Sequence, residues 1–451
     1  MNDKSVAVRD TIAWTLGRIA QFHPTIVPVR ELTPVLGEKL RDVPRVAANI
    51  CWVVEVLAES QPGSTPPAQL GQAPATTALS EFFTSLAQRL LEVVARPDAD
   101  ERKLRMAGYS ALSALISKSG NDCLQHMQPL TEEMLNHLSN SFKIVDRDCE
   151  LQGYICGVLT ALVQRLRDRI APVVEHVMEG AVKVMTAYQQ VRGGAQVLHE
   201  EALLLAAAVA QSIGRGFERF MPVFATHLKV GLQNYEEETV CLMATGVVGD
   251  LCRALEGTII TYCDTILTIL YTNLQHTAVD RKIKAAIMTC FGDIALAISG
   301  EFEKYLSPVM QMLREASSTR LADGPPNDEE WVEYLNSLRE GVLEAYTGII
   351  HGLRESSKLH LFKEHVDSVL HFVKEISEEP SPSDAVMKAA VCVIGDLIIA
   401  FQGELTHYVG QAPFLVKLVE FAIRSQDPGI RNTANWLQSL LQKYGAAAAQ
   451  R

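Results

Sequence analysis

The sequence lacks paired cysteines, strand patterning, long apolar runs and an excess of positive charge, and each absence removes a class of protein. Its nine cysteines fall at 51, 123, 149, 156, 241, 252, 263, 290 and 392, an odd and scattered set without CxxC spacing. Disulfide frameworks and thiolate zinc sites need closer pairing, so these residues read as buried, reduced thiols of a cytosolic or nuclear protein. The longest uninterrupted apolar run, Ala202 to Ala210, is far short of the ~20 residues that span a bilayer, and no membrane insertion is expected. The first residues, MNDKSVAVRD, show no basic region leading into an apolar core, so no signal peptide is read there. Lys and Arg total 41 against 53 Asp and Glu in 451 residues, a formal charge of −12. That balance argues against direct nucleic-acid binding, which needs a basic footprint. It suits a receiver of basic partners, provided the acids share a face.

Catalytic motifs are missing too. His199-Glu200-Glu201 starts like HExxH, but Leu203 stands where the second zinc ligand belongs. Gly153 to Gly157 runs through a helical pattern without the lysine of a phosphate loop, and no GxSxG elbow occurs. His360 and His365 are five residues apart and sit on different parts of a helix face. The expectation is a binding protein with no enzyme activity, no cofactor and no metal.

What is present is a period. Val8-Arg9-Asp10-Thr11-Ile12-Ala13-Trp14 returns as Ile430-Arg431-Asn432-Thr433-Ala434-Asn435-Trp436, and Val46 to Trp52 is a further version. Gly249-Asp250-Leu251, Gly292-Asp293-Ile294 and Gly395-Asp396-Leu397 repeat a second element, with Gly17-Arg18-Ile19 in the same register. Amphipathic segments of this kind lie near 5–22, 43–58, 100–117, 144–165, 196–213, 237–255, 279–298, 329–353, 382–402 and 428–443. Others precede them, as at 77–95, 216–233, 257–275 and 359–376. The mean period of ~47 residues falls in the HEAT and armadillo range. The pattern predicts an all-α fold, a right-handed solenoid of HEAT repeats with about nine to ten helix pairs, as one continuous array over 1–451. Segments 61–75 and 318–328 read as surface loops, and Arg192-Gly193-Gly194 as a break within a pair. The chain opens on the second helix of a pair, which reads as a fragment of a longer array.

Helical spacing assigns faces. Val8, Ile12, Leu16 and Ile19 form an apolar stripe, from which Trp14 lies about 200° away beside Asp10 and Arg18. Val46, Ile50, Val53 and Leu57 leave Trp52 on the side of Asn49, and Trp436 keeps the register of Trp14 outside Ile430, Leu437 and Leu441. Asp250, Asp293 and Asp396 hold the register of Arg18, one turn beyond the Trp position. Second helices of a solenoid usually line its concave wall, which would then carry these Trp and Asp residues. Glu200, Glu201, Glu236 to Glu238, Glu329, Glu330 and Glu333 add charge nearby. Indoles stack on guanidinium groups and the stems of basic side chains, so the wall suits a long basic segment. Each Trp has an alternative reading as packing against the adjacent repeat, and each acid as a solvated charge, a cap or a bridge between helices. Phe217, Phe220 and Phe224 share one helix face, where core packing competes with an outer apolar patch.

The strings VRDTIAWTLGRI, PRVAANICWVVEVLAE, LKVGLQNYEEETVCLMATGVVGDLCRALEG, FGDIALAISGEFEKYL and YLNSLREGVLEAYTGIIHGL resemble the C-terminal half of the importin-β (karyopherin-β) family along essentially the whole chain. The resemblance implies a nuclear import receptor that shuttles between cytoplasm and nucleus. Its implied partners are the basic N-terminal segment of the importin-α adaptor, direct basic cargoes, nucleoporin Phe-Gly repeats and the GTPase Ran. It implies partner contacts at Trp14, Trp52 and Trp436 and at Asp250, Asp293 and Asp396, and none at Trp331, which lies outside the shared register. It also implies that the principal Ran arch, main Phe-Gly site and acidic loop belong to the other half. The rival readings are a HEAT scaffold of another class, such as a phosphatase-type scaffold binding folded partners, and a transport receptor of a neighbouring branch.

Overall fold

Where apolar residues recur every three or four positions, helices form. A computed structural model of the protein describes residues 1–60, 73–144, 149–191, 199–325, 328–379, 383–402, 405 and 412–448, and no strand occurs among them. They fall into two compact units, Met1–Ile213 and Gly214–Arg451.

In the first unit, α1 (Val6–Phe22), α2 (Val29–Lys39), α3 (Pro44–Ser60), α4 (Phe83–Val94), α5 (Leu104–Ser117), α6 (Met127–Ser141), α7 (Glu150–Leu166), α8 (Val174–Val191) and α9 (Glu200–Ile213) follow in order. The second holds α10 (Met221–Gln233), α11 (Glu238–Leu255), α12 (Ile260–Gln275), α13 (Arg281–Ile298), α14 (Glu303–Ser317), α15 (Glu329–Glu355), α16 (Val366–Glu378), α17 (Asp384–Phe401), α18 (Pro413–Arg424) and α19 (Pro428–Ala448). Odd-numbered helices stack on one another in sequence, α1 on α3 through to α9 and α11 on α13 through to α19. These are the second-of-pair segments of the repeat, here called inner helices. Their bounds agree with the periodicity to within a few residues.

The same turn closes several inner helices. Arg167, Gly214, Glu256, Ser299 and Gln402 follow α7, α9, α11, α13 and α17 with φ between 33° and 54°. After α7, α9, α11 and α13 a short 3-10 turn then leads into the next outer helix, as at Glu256–Ile259 before α12. Only Gly214 has the residue that takes this conformation without a Cβ penalty.

Val46, Ile50, Val53 and Leu57 are buried as the spacing predicts. On α1 the structure corrects the expectation. Val8 and Ile19 are exposed, and the face turned to α3 is Asp10, Ala13, Gly17 and Ala20. Among the described residues no helix precedes α1 to cover the larger stripe, whereas α3 lies on the small-residue face. Phe217 and Phe224 are fully buried and meet edge to face at 5.5 Å, which settles this face as core. None of the nine cysteines is in a disulfide; eight are buried and Cys392 is half-buried, and burial pushes the Cys51 thiol up to about 12.

Arg281–Ser317 is long and apolar enough by composition to cross a membrane. It is two helices, α13 and α14, joined at Ser299–Phe302, and more than half of its most apolar window is buried inside the protein. Of the expected loop 61–75 only 73–75 are described, and Arg192-Gly193-Gly194 lies outside the described residues. Residues 318–325 carry a 3-10 turn pinned by Arg320, whose Nη2 donates to Glu375 Oε1 at 2.7 Å. Asp328 then caps α15 by accepting from the Glu330 amide at 3.0 Å.

Candidate functional site on the inner helices

Inner helices carry small residues where the next inner helix crosses, and these positions decide what projects. A methyl built on Gly17 would lie 2.5 and 2.8 Å from Cε3 and Cη2 of Trp52. One built on Gly395 would lie 3.1 Å from Cζ2 of Trp436 and closer to two further ring atoms. Each indole therefore rests on the glycine of the preceding inner helix. Trp52 is half-buried there, while Trp436 keeps 36% of its surface exposed. These rings both pack on a neighbouring repeat and keep part of their surface open to solvent.

Trp14 is the most open of the three at 53% exposed. Arg18 lies along it, 5.9 Å from the Trp14 ring centroid and 4.5 Å from that of Phe22. Beside this column, Asp10 is buried, accepting from Asn49 Nδ2 at 2.8 Å and pairing with Arg45 at 2.7 Å.

The three aspartates part company. Asp250 and Asp293 are half-buried on α11 and α13 and share Arg253, at 2.6 and 3.4 Å. Burial raises the Asp293 carboxyl above the usual range, against the pull of Arg253. Asp396 does not project as expected. It is 7% exposed, with its Oδ1 2.9 Å from His351 Nε2 on α15, so it bridges two helices. Trp331 is also withdrawn: it is 8% exposed, with Arg281 5.0 Å over its ring.

The structure adds residues that the repeated strings did not mark. A groove of about 620 Å³ crosses α3, α5, α7 and the start of α9. Its lining holds the acids Glu55, Glu59, Glu150 and Glu201, one lysine, Lys118, and the aromatics Tyr109 and Tyr154, while His199 and Glu201 lie over Gly153 and Gly157. The two tyrosines stack with centroids 6.2 Å apart and planes 23° from parallel. Burial lifts the Glu55 and Glu201 carboxyls, reinforced by Glu59 and Glu200 respectively, and the Tyr109 hydroxyl is pushed up to about 12 by burial. Trp52, Glu55 and Glu59 follow one another at three- and four-residue spacing, so the indole and the acids share one face of α3. Four acids against one lysine make the lining suited to basic side chains. Tyr109 and Tyr154 stand one repeat apart, a signal open to sequence reasoning. Among the described residues no cluster of His, Cys, Asp and Glu is arranged to hold a metal.

The chain matches the family description "Importin subunit beta-1-like, TPR repeats" over residues 31–421. The ~47-residue period is longer than that of a tetratricopeptide repeat and lies in the HEAT range. Importin subunit beta-1 of Arabidopsis thaliana is 35% identical over 98% of this chain and 51% of its own length. That of Schizosaccharomyces pombe is 33% identical over 90% of this chain and 47% of its own. A crystal structure of importin beta superposes with a TM-score of 0.90 at 30% identity, over 99% of this chain and 52% of that one. Yeast Kap95, solved in complex with Nup1, shares the fold at 24% identity and a TM-score of 0.83, over 99% of this chain and 51% of that one. The chain spans about half the length of the curated relatives it matches. The matched strings, the helix-pair period and the family description agree, and the chain belongs to the importin subunit beta-1 family.

Proposed function

We propose that this chain serves in a nuclear import receptor as a surface that takes a basic, extended segment, namely the N-terminal segment of the importin-α adaptor or the basic stretch of a direct cargo. The observation that carries the reading is the inner face of the first unit. There an exposed Trp14 and a glycine-seated Trp52 share α1 and α3 with acids that run into a groove lined by Glu55, Glu59, Glu150 and Glu201. An arginine stem lies flat on an indole while its guanidinium reaches a carboxylate one turn away. Asp250, Asp293 and Trp436 extend the same chemistry in the second unit; Asp396 serves as a brace.

Nucleoporin repeats and Ran are further partners in this reading. Family membership supports them, as do Kap95 solved with Nup1 and a Kap95 structure described as switching the loops of RanGDP. The chain then moves between cytoplasm and nucleus and works by binding alone. Release follows when a competitor favours a state that holds the segment less well, by the difference in its affinity for the two states.

The test is a titration with a fluorescent importin-α N-terminal peptide at low and raised salt. Tight binding that weakens steeply with salt is expected. Trp14→Ala with Trp52→Ala should cost about 2 kcal/mol or more, the scale of interface hot spots. Unchanged affinity in a folded double variant removes these indoles from the site. Salt-tolerant binding to folded domains, with none to the peptide, would favour a scaffold of another class.

A further inference from the structure

Gly17, Gly249 and Gly395 hold one register on α1, α11 and α17, and each is covered by a side chain of the next inner helix. Over Gly17 and Gly395 that cover is an indole. Over Gly249 it is the Asp293 carboxylate, and a methyl there would also lie 3.4 Å from Arg253 Nη1. Arg253 Nη2 donates to Asp250 Oδ1 at 2.6 Å and Nη1 to Asp293 Oδ1 at 3.4 Å. Its side chain is 60% exposed, against 19% and 25% for the two aspartates. The guanidinium thus stands on the solvent side of the carboxylates, where an incoming cation would arrive.

The pattern recurs. Arg45 lies against Asp10 with its own side chain open to solvent, and Arg18 lies along Trp14 and Phe22. These differ from structural pairs such as Arg339 with Glu379, where the guanidinium is buried and both of its terminal nitrogens are engaged. Arg253, the exposed member of a pair three residues apart on one helix, is held by a contact of the kind that contributes little to stability, so it can exchange.

We propose that Arg253 is an internal competitor for the Asp250–Asp293 pair, filling it in the free protein and swinging out when an arginine of a basic partner takes both carboxylates. This rests on the reading that the inner helices receive a basic segment. It deepens that reading by assigning a selectivity device. A planar guanidinium can bridge two acids as Arg253 does, whereas an ammonium is a compact point charge that replaces it less completely. The competitor therefore favours arginine-bearing segments over lysine-bearing ones.

The experiment is fluorescence anisotropy of an arginine-rich peptide and its lysine counterpart against the whole chain at fixed salt. The variants are Arg253→Ala, Arg253→Gln, Asp250→Asn with Asp293→Asn, and that pair combined with Arg253→Ala, each checked for helicity by circular dichroism. Removing Arg253 should tighten the arginine peptide about three- to ten-fold. It should narrow the preference for arginine over lysine. In the Asp→Asn background the same removal should change affinity less than about two-fold. Weaker or unchanged binding by both Arg253 variants overturns the proposal while leaving the basic-segment reading intact. So does a tightening that persists in the Asp→Asn background, since that is a general charge effect. A wild-type chain that binds neither peptide removes the reading and the proposal together.

Discussion

Gly17→Ala asks whether the indole of Trp52 is seated by the glycine or merely passes near it. The added methyl would lie 2.5 and 2.8 Å from two carbons of the ring and nearer still to a third. Carbon atoms in contact settle at about 3.5–4.0 Å, so the ring edge must retreat by more than about 1 Å. Two effects oppose each other. Alanine in a helix interior is worth about 0.5–1 kcal/mol over glycine. Overpacking at a tight contact costs about 1–3 kcal/mol. The clash should win, leaving the variant less stable by up to about 2 kcal/mol.

Gly246 supplies the control. It sits on the inner helix α11 with nothing within 4 Å of a methyl there, so Gly246→Ala should gain the propensity term undiminished. Denaturant titration reads both variants, and unchanged slopes would show that only stability moved. A difference spectrum against Trp52→Phe isolates the displaced indole from the other tryptophans. Affinity for the importin-α peptide should fall in Gly17→Ala, because the ring is pushed from the face it shares with Glu55 and Glu59. If Gly17→Ala stabilises as much as Gly246→Ala with the Trp52 signal unmoved, the seat argument is refuted.

Binding should also depend on pH. Burial holds Glu55, Glu201 and Asp293 above the ordinary carboxylate range, and a cationic partner favours their charged forms. Affinity is therefore full above these raised values and is lost as pH falls through them, beginning at a pH higher than normal carboxylates would set. Calorimetry in buffers of different ionisation enthalpy should record proton release on binding, and proton uptake would contradict it. Tyr154→Ser, at the half-buried ring of the pair, should weaken the peptide several-fold, read by the same titration with helicity checked by circular dichroism. Glu379→Ala strands the buried guanidinium of Arg339, which should cost about 3 kcal/mol in denaturant unfolding. Arg167→Gly relieves a positive-φ site on an exposed side chain and should raise stability by up to about 1 kcal/mol, read the same way.

The fold was largely legible because a helix pair is specified within its own stretch of sequence. Apolar spacing marked the inner helices to within a few residues, and Val46, Ile50, Val53 and Leu57 went where the period put them. The error on α1 shows the limit of that logic. Hydrophobicity ranked Val8 and Ile19 above Ala13 and Gly17, but a stripe is buried only where a helix lies against it. Among the described residues α3 covers the small-residue face, while no helix precedes α1 to cover the other. Phe217 and Phe224 could have been either core or patch from spacing alone, since both lie on one side of a turn that only packing orients.

The site was legible in position and not in occupancy, and the reason lies in the repeat itself. Each register position fixes a direction from its own helix, so Trp14, Asp250 and Asp396 were all placed on one kind of face. What meets that face comes from the adjacent inner helix, 35 to 53 residues along the chain in the cases that follow. Gly17 receives an indole, Gly249 a carboxylate with an arginine beside it, and Gly292 the backbone of Ala345. Asp396 illustrates the consequence most sharply. It holds the register of Asp250, yet His351 on the preceding inner helix lies 2.9 Å from it, whereas Asp250 pairs with Arg253 from its own helix. Identical local strings can therefore act as brace in one repeat and as exchangeable contact in the next. The property that separates them is how firmly the neighbouring side chain is held, which no single stretch of sequence contains.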